Sequence, residues 1–189
     1  VLTYDAREAV RTHIAQQLEE PLSDLYFELR ELAKQTEYAA HAEQIANRRL
    51  QGIALSYLML LERADIAEAC IEQFEQADNM TERLSALSCL VNSVFQKDAA
   101  TALAAFEQEF AHEPLVMDQW FSVQASSPVY GTLECVQSLM QHAGFTIKNP
   151  NRVRAVIGAF SQHNLPVFHA QDGSGYRFLA EQVAKLDEL

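Results

Sequence analysis

Apolar side chains fall three and four residues apart along the chain: Leu22, Leu25, Tyr26, Leu29 and Leu32 in one stretch, Leu50, Ile53, Tyr57 and Leu61 in the next. A period near 3.6 places such positions on one face of an α-helix, whereas a half-buried strand needs strict alternation. The same spacing returns at Met80, Leu84, Leu87, Val91 and Val94, at Leu103, Phe106 and Phe110, and at Val153, Val156, Ile157 and Phe160. It predicts about ten helices.

Local chemistry punctuates them. Pro21 suits a first helical turn, Asn79 with Glu82 forms an N-cap and capping-box pair, and Pro114 opens the segment carrying Met117, Trp120 and Phe121. Connections of about two to eight residues are expected, which makes successive helices antiparallel neighbours. The expected fold is all-α, a superhelical stack of antiparallel helix pairs of the HEAT or armadillo type, although the sequence shows no clean internal repeat. Residues 1–189 read as a single helical domain. The longest stretch expected to be irregular is "QHNLPVFHAQDGSGYRF", where Gly173 and Gly175 imply a tight turn at positive φ before a final helix.

Composition narrows the class. Hydrophobic residues make up 49% of the 189, with only 6 Gly and 5 Pro, which suits packed helices. The net charge of −12 opposes binding to nucleic acid or to an anionic membrane, since phosphate recognition needs a basic surface. Cys70, Cys89 and Cys135 are odd in number, far apart and set in apolar helical patterns, as reduced core thiols would be. No apolar run reaches 18 residues and no charged-then-apolar leader opens the chain, so a cytoplasmic location is expected. The start at Val1 and the stop at "KLDEL", inside a helical pattern without a C-cap glycine, suggest a fragment of a longer protein.

A search for reactive constellations finds none. "HAEQI" at His41 and "HEPLV" at His112 lack the second histidine of the H-E-x-x-H zinc motif, and C-x-x-C is absent. His163 and His169 flank a proline in a loop. "DGSGY" departs from the G-x-S-x-G elbow, which leaves Ser174 as a helix cap. No metal, cofactor or catalytic residue is expected in this chain.

"NPNRVRAVIGAF", Asn149 to Phe160, stands out against that background. It puts Arg152 and Arg154 at a helix N-terminus, where a cation is disfavoured by roughly 0.3–1 kcal/mol. Something negative should compensate. At about 100° per residue, the two arginines flank the stripe Val153, Val156, Ile157 and Phe160, while Ala155, Gly158 and Ala159 form a small-residue back face where a backbone or ligand could approach. The N-terminus, capped by Asn149 with Pro150 next, is a candidate carboxylate or phosphate site; pairing with some of the 26 acids is the plainer reading.

Four segments in order, "FEQADNMTERLSALSCLVNS", "LVMDQWFSVQASSP", "NPNRVRAVIGAF" and "FHAQDGSGYRFL", resemble the C-terminal helical domain of bacterial-type aminopeptidase N, and the resemblance spans nearly the whole chain. It implies a zinc aminopeptidase of the gluzincin class as parent, with the zinc and the catalytic residues in an upstream domain. This chain would then be a non-catalytic part that caps the active site, packs on the catalytic domain and lines an internal cavity for peptide substrates. Arg154 corresponds to the second arginine of the family's N-P-N-R-x-R segment, which faces that cavity; Arg152 matches a cavity position less closely. The resemblance also implies further helices beyond the equivalent of Leu189, and hence an exposed apolar patch where they would pack. The other function class is a free-standing helical scaffold that binds a protein on its concave face.

Overall fold

The computed structural model describes residues 2–188 and, among these, contains helices and no strand. Residues 5–102 form one compact unit, and residues 103–188 with 2–4 form another.

The first unit holds most of α1 (Leu2–Gln17), then α2 (Glu19–Gln35), α3 (Ala42–Leu58) with a 3-10 turn at Met59–Leu61, α4 (Ala64–Gln76) and α5 (Met80–Val91); α6 (Gln96–Phe110) crosses the boundary. Helices α2 and α3 pack as a pair, α4 and α5 as another, and α3 also packs on α5. Asn79 caps α5 as its spacing predicts, its Oδ1 accepting from the Glu82 amide at 3.0 Å. Tyr26, Leu55, Leu58, Ile66, Leu87 and Leu90 are fully buried.

A polar network runs through this core. The Tyr26 hydroxyl and Gln51 Nε2 both donate to Gln73 Oε1, at 3.1 and 2.9 Å, and Gln73 Nε2 donates to the Glu82 carbonyl at 3.0 Å. All three side chains are sealed from water, so the cooperation of their hydrogen bonds is what makes their burial tolerable. Burial pushes the Tyr26 phenol and the Cys70 thiol well up, and Cys89 up to about 12. Both thiols are therefore inert core groups.

One stripe faces the other way. On α3 the buried positions are Gln51, Ala54, Leu55 and Leu58, whereas Leu50 and Ile53 are exposed. Both sets obey helical periodicity, and packing against α2 and α5 selects the first.

The second unit continues through α7 (Pro114–Ser126), α8 (Leu133–Leu139), α9 (Pro150–Val153), a π-helical segment (Arg154–Gly158), α10 (Ala159–His163), α11 (Leu165–Phe168) and α12 (Ser174–Asp187). Since α9, the π segment and α10 run on without a break over 150–163, the described residues hold eleven helices, close to the ten expected. Its core is aromatic: Phe160 meets Phe168 and Phe178 edge to face at 5.7 and 5.6 Å, and Trp120 meets Phe121 at 4.9 Å. The indole of Trp120 donates to the Leu103 carbonyl at 2.9 Å. Buried Asn164 donates through Nδ2 to the carbonyls of Ala125, Ser127 and Gly131 at 2.6–3.1 Å, tying the turn after α7 to the start of α11.

The structure corrects four expectations. The stretch 162–178 contains α11 and the start of α12, so the longest irregular stretch is 140–149. Of these two glycines Gly173 alone has positive φ, at 71°; Gly175 is needed because a Cβ there would collide with the Phe168 carbonyl. The cap of α12 comes from Asp172, whose Oδ1 accepts from the Ser174 amide at 2.9 Å, and not from the Ser174 hydroxyl. Those hydrogen bonds hold the Asp172 carboxyl below its usual range. Cys135, moreover, is half-buried.

Candidate functional site

The helix at 150–163 begins as its sequence dictates. Asn149 Oδ1 accepts from the amides of Asn151 and Arg152 at 3.0 and 3.4 Å, and Pro150 takes the first helical position, where its missing N–H costs nothing. The π segment then widens the turn at Arg154–Gly158, against α7. Such segments are rare and concentrate at functional sites.

The two arginines part company. Arg152 is 5% exposed, its Nη1 lies 2.9 Å from Asp118 Oδ1 on α7, and its guanidinium stacks 4.7 Å from the Phe121 ring centroid. Nη2 reaches the Pro114 carbonyl at 3.5 Å. The negative charge that offsets Arg152 at this helix start is therefore Asp118, and the plainer reading of an arginine paired with an acid describes it. Arg154 is exposed, and its Nη1 donates to Asn151 Oδ1 at 3.2 Å. With Leu115, Gln119 and Ser122 it lines an open depression between α7 and this helix. An exposed guanidinium held by a neutral amide keeps most of its five donors for a carboxylate or carbonyl.

The small-residue back face resolves into two roles. Ala155 and Ala159 are buried, but a Cβ at Gly158 would meet nothing closer than 3.8 Å, so no neighbouring backbone requires that glycine. His163 and His169 are both exposed, and His169 Nδ1 shares a 2.6 Å hydrogen bond with the Tyr176 hydroxyl. Among the described residues no group of three or more His, Cys, Asp or Glu is placed to hold a metal ion, and no helix is long and apolar enough to cross a membrane.

Asp118 escaped the reading of the sequence, although it had a signal: a lone acid beside Met117, Trp120 and Phe121, all buried. Arg30 escaped too, four residues after Tyr26 on the buried face of α2. A charge on an apolar stripe announces either a partner or a site.

Comparisons with known proteins bear on the parent. The chain is 39% identical over 185 residues to aminopeptidase N of Escherichia coli and 36% identical over 186 residues to that of Haemophilus influenzae, covering 97% of this chain in both cases. It spans about a fifth of the length of these relatives, 20% and 21%. A crystal structure of Legionella pneumophila aminopeptidase A in complex with aspartic acid superimposes with a TM-score of 0.83 at 30% identity, over 98% of this chain and 22% of that one. The resemblance to the C-terminal helical domain of bacterial-type aminopeptidase N thus holds over almost every residue. Residues 2–189 match the family described as "Domain of unknown function (DUF3458_C) ARM repeats", and the chain belongs to that family.

Proposed function

We propose that this chain is a non-catalytic helical part of a cytoplasmic zinc aminopeptidase, that it caps the active site of an upstream catalytic domain, and that Arg154 lines the cavity through which peptide substrates pass. The carrying observation is similarity to aminopeptidase N over 97% of the chain, together with an exposed arginine beside an open depression. The two compact units act here as one domain of the longer polypeptide. In this reading the zinc sits in the upstream catalytic domain. Arg152, held by Asp118 and Phe121, fixes the helix from which Arg154 projects.

The division of labour is tested in the full-length polypeptide. If Arg154 holds a carboxylate or carbonyl of a bound peptide, Arg154→Ala loses a charge-assisted hydrogen bond, about ten- to a hundredfold in binding. KM for peptides of several residues should rise accordingly, while a single-residue chromogenic substrate keeps its kinetics, because the lost contact is remote from the scissile bond. An equal change for both substrate classes rejects the assignment. The isolated chain should hydrolyse neither substrate and bind no stoichiometric zinc; turnover by the pure chain rejects the non-catalytic reading.

A further inference from the structure

The unit 5–102 holds a cavity of about 390 Å³ framed by α2, α3 and the corner from α4 to α5. That is the small end of the roughly 300–1,000 Å³ common among small-molecule sites. Its walls carry both signs of charge: Arg30, Lys34 and Arg48 against Glu43, Asp78 and Glu82.

Two of the three cations are already engaged. Lys34 lies 3.0 Å from Glu31 and 3.6 Å from Glu72. Arg48 donates to Gln44 Oε1 and the Ala39 carbonyl at 3.1 and 3.2 Å, and stacks 4.8 Å from the Tyr38 ring centroid. Arg30 differs. It is 6% exposed, and its Nη2 is buried without a hydrogen-bond partner. A guanidinium cannot shed its charge, so its burial leaves a donor group that a ligand can satisfy.

The acids decide which ligand. A plain anion drawn to Arg30 would meet three carboxylates in the same walls, two of them at the corner where Glu82, 5% exposed, follows Asp78. A molecule with a carboxylate at one end and an ammonium at the other suits both signs. We propose that this cavity binds a free α-amino acid, its carboxylate on the Arg30 guanidinium and its ammonium on Glu82 and Asp78. Burial pushes the Glu82 carboxyl up, a penalty that an adjacent ammonium offsets. The volume suits a single residue better than an extended peptide. This site lies within 5–102 and does not depend on the role given to Arg154.

The test is calorimetric titration of the full-length polypeptide with glycine, leucine, glutamate and arginine, in wild type and three variants. Arg30→Met removes the carboxylate partner, Glu82→Gln removes an ammonium partner, and Asn47→Trp fills the cavity from its half-buried rim while leaving Arg30 in place. At least one amino acid should bind wild type, with Kd raised about ten- to a hundredfold by Arg30→Met and binding through this site lost in Asn47→Trp. For that amino acid, the N-acetyl derivative and the amide should each bind at least tenfold more weakly than the zwitterion. Leucyl-leucine with a reduced CH2–NH linkage, which the parent cannot hydrolyse, arbitrates between a free amino acid and a dipeptide, and tighter binding of the dipeptide overturns the single-residue assignment. Absence of binding by all four, identical isotherms in wild type and both Arg30→Met and Asn47→Trp, or equal binding of the N-acetyl derivative each overturn the proposal. Thermal melts of the variants confirm that they fold. A crystal soaked in the bound amino acid must show it against Arg30.

Discussion

Two arginines, one in each compact unit, are buried to nearly the same degree, and only one has a carboxylate in contact. Arg152 in 103–188 is 5% exposed and has Asp118 at 2.9 Å, the Phe121 ring beneath it and the Pro114 carbonyl at its edge. Arg30 in 5–102 is 6% exposed and lines a cavity, and its Nη2 lacks a hydrogen bond, as do Nε and Nη1 of Arg152. Burial alone therefore does not tell a structural charge from a ligand site. What separates them is whether the fold itself supplies the counter-ion, because desolvating a guanidinium costs several kcal/mol that some partner must offset.

The comparison is broken or sharpened first by removing the counter-ion. Asp118→Ala should leave Arg152 charged, buried and unpaired, and destabilise the protein by about 3–5 kcal/mol in urea denaturation. Arg30→Met, which puts an apolar chain of similar length in place of a guanidinium that feels the Glu82 carboxylate only at a distance, should change stability by less than about 1 kcal/mol or raise it. If the two variants lose the same amount, Arg30 is as structurally committed as Arg152 and the contrast fails.

A smaller loss is expected from the amide network of 5–102. Gln73→Leu keeps the volume but strands Gln51 Nε2, while the Tyr26 hydroxyl keeps the Ala69 carbonyl at 3.2 Å and the Glu82 carbonyl keeps its bond within α5. Each buried group left unsatisfied costs about 1–3 kcal/mol. A melting temperature unchanged by Gln73→Leu would show that water replaces the amide.

The smallest effect is a pH dependence. Desolvation raises the Glu82 carboxyl above its ordinary 4.5, so in the window just above that value the folded chain binds more protons than the unfolded one. Stability from this group then falls as pH rises through the window, and the deficit persists above it. Glu82→Gln cannot titrate, and should gain on wild type across that window and then hold a constant lead. Denaturation midpoints measured from pH 4 to 8 check the sign; a lead that shrinks with rising pH contradicts it.

Much of the fold was legible because its causes are local. The N-cap at Asn79, the Asn149–Pro150 start of the helix at 150–163 and the Pro114 start of α7 depend on residues within one turn, and all three stand where their spacing places them. The stripe Val156, Ile157 and Phe160 is buried as its period requires. Gly175 had a local explanation available, positive φ, and owes its place instead to the carbonyl of Phe168, seven residues earlier.

The sequence by itself determined the helices, most of their ends and the placing of two arginines at the start of "NPNRVRAVIGAF", since each rests on periodicity, capping or composition within a short window. Tertiary structure alone decided which face of α3 is buried, that Asp118 answers Arg152, that Arg154 stays exposed and that Arg30 lines its cavity with Nη2 lacking a hydrogen bond. Those outcomes hang on contacts between residues far apart in sequence, such as Asp118 with Arg152 and Gln51 with Gln73, or on which neighbour fills the space beside a helix. Helical period gives the direction of a side chain about its own axis; only packing supplies what lies in that direction.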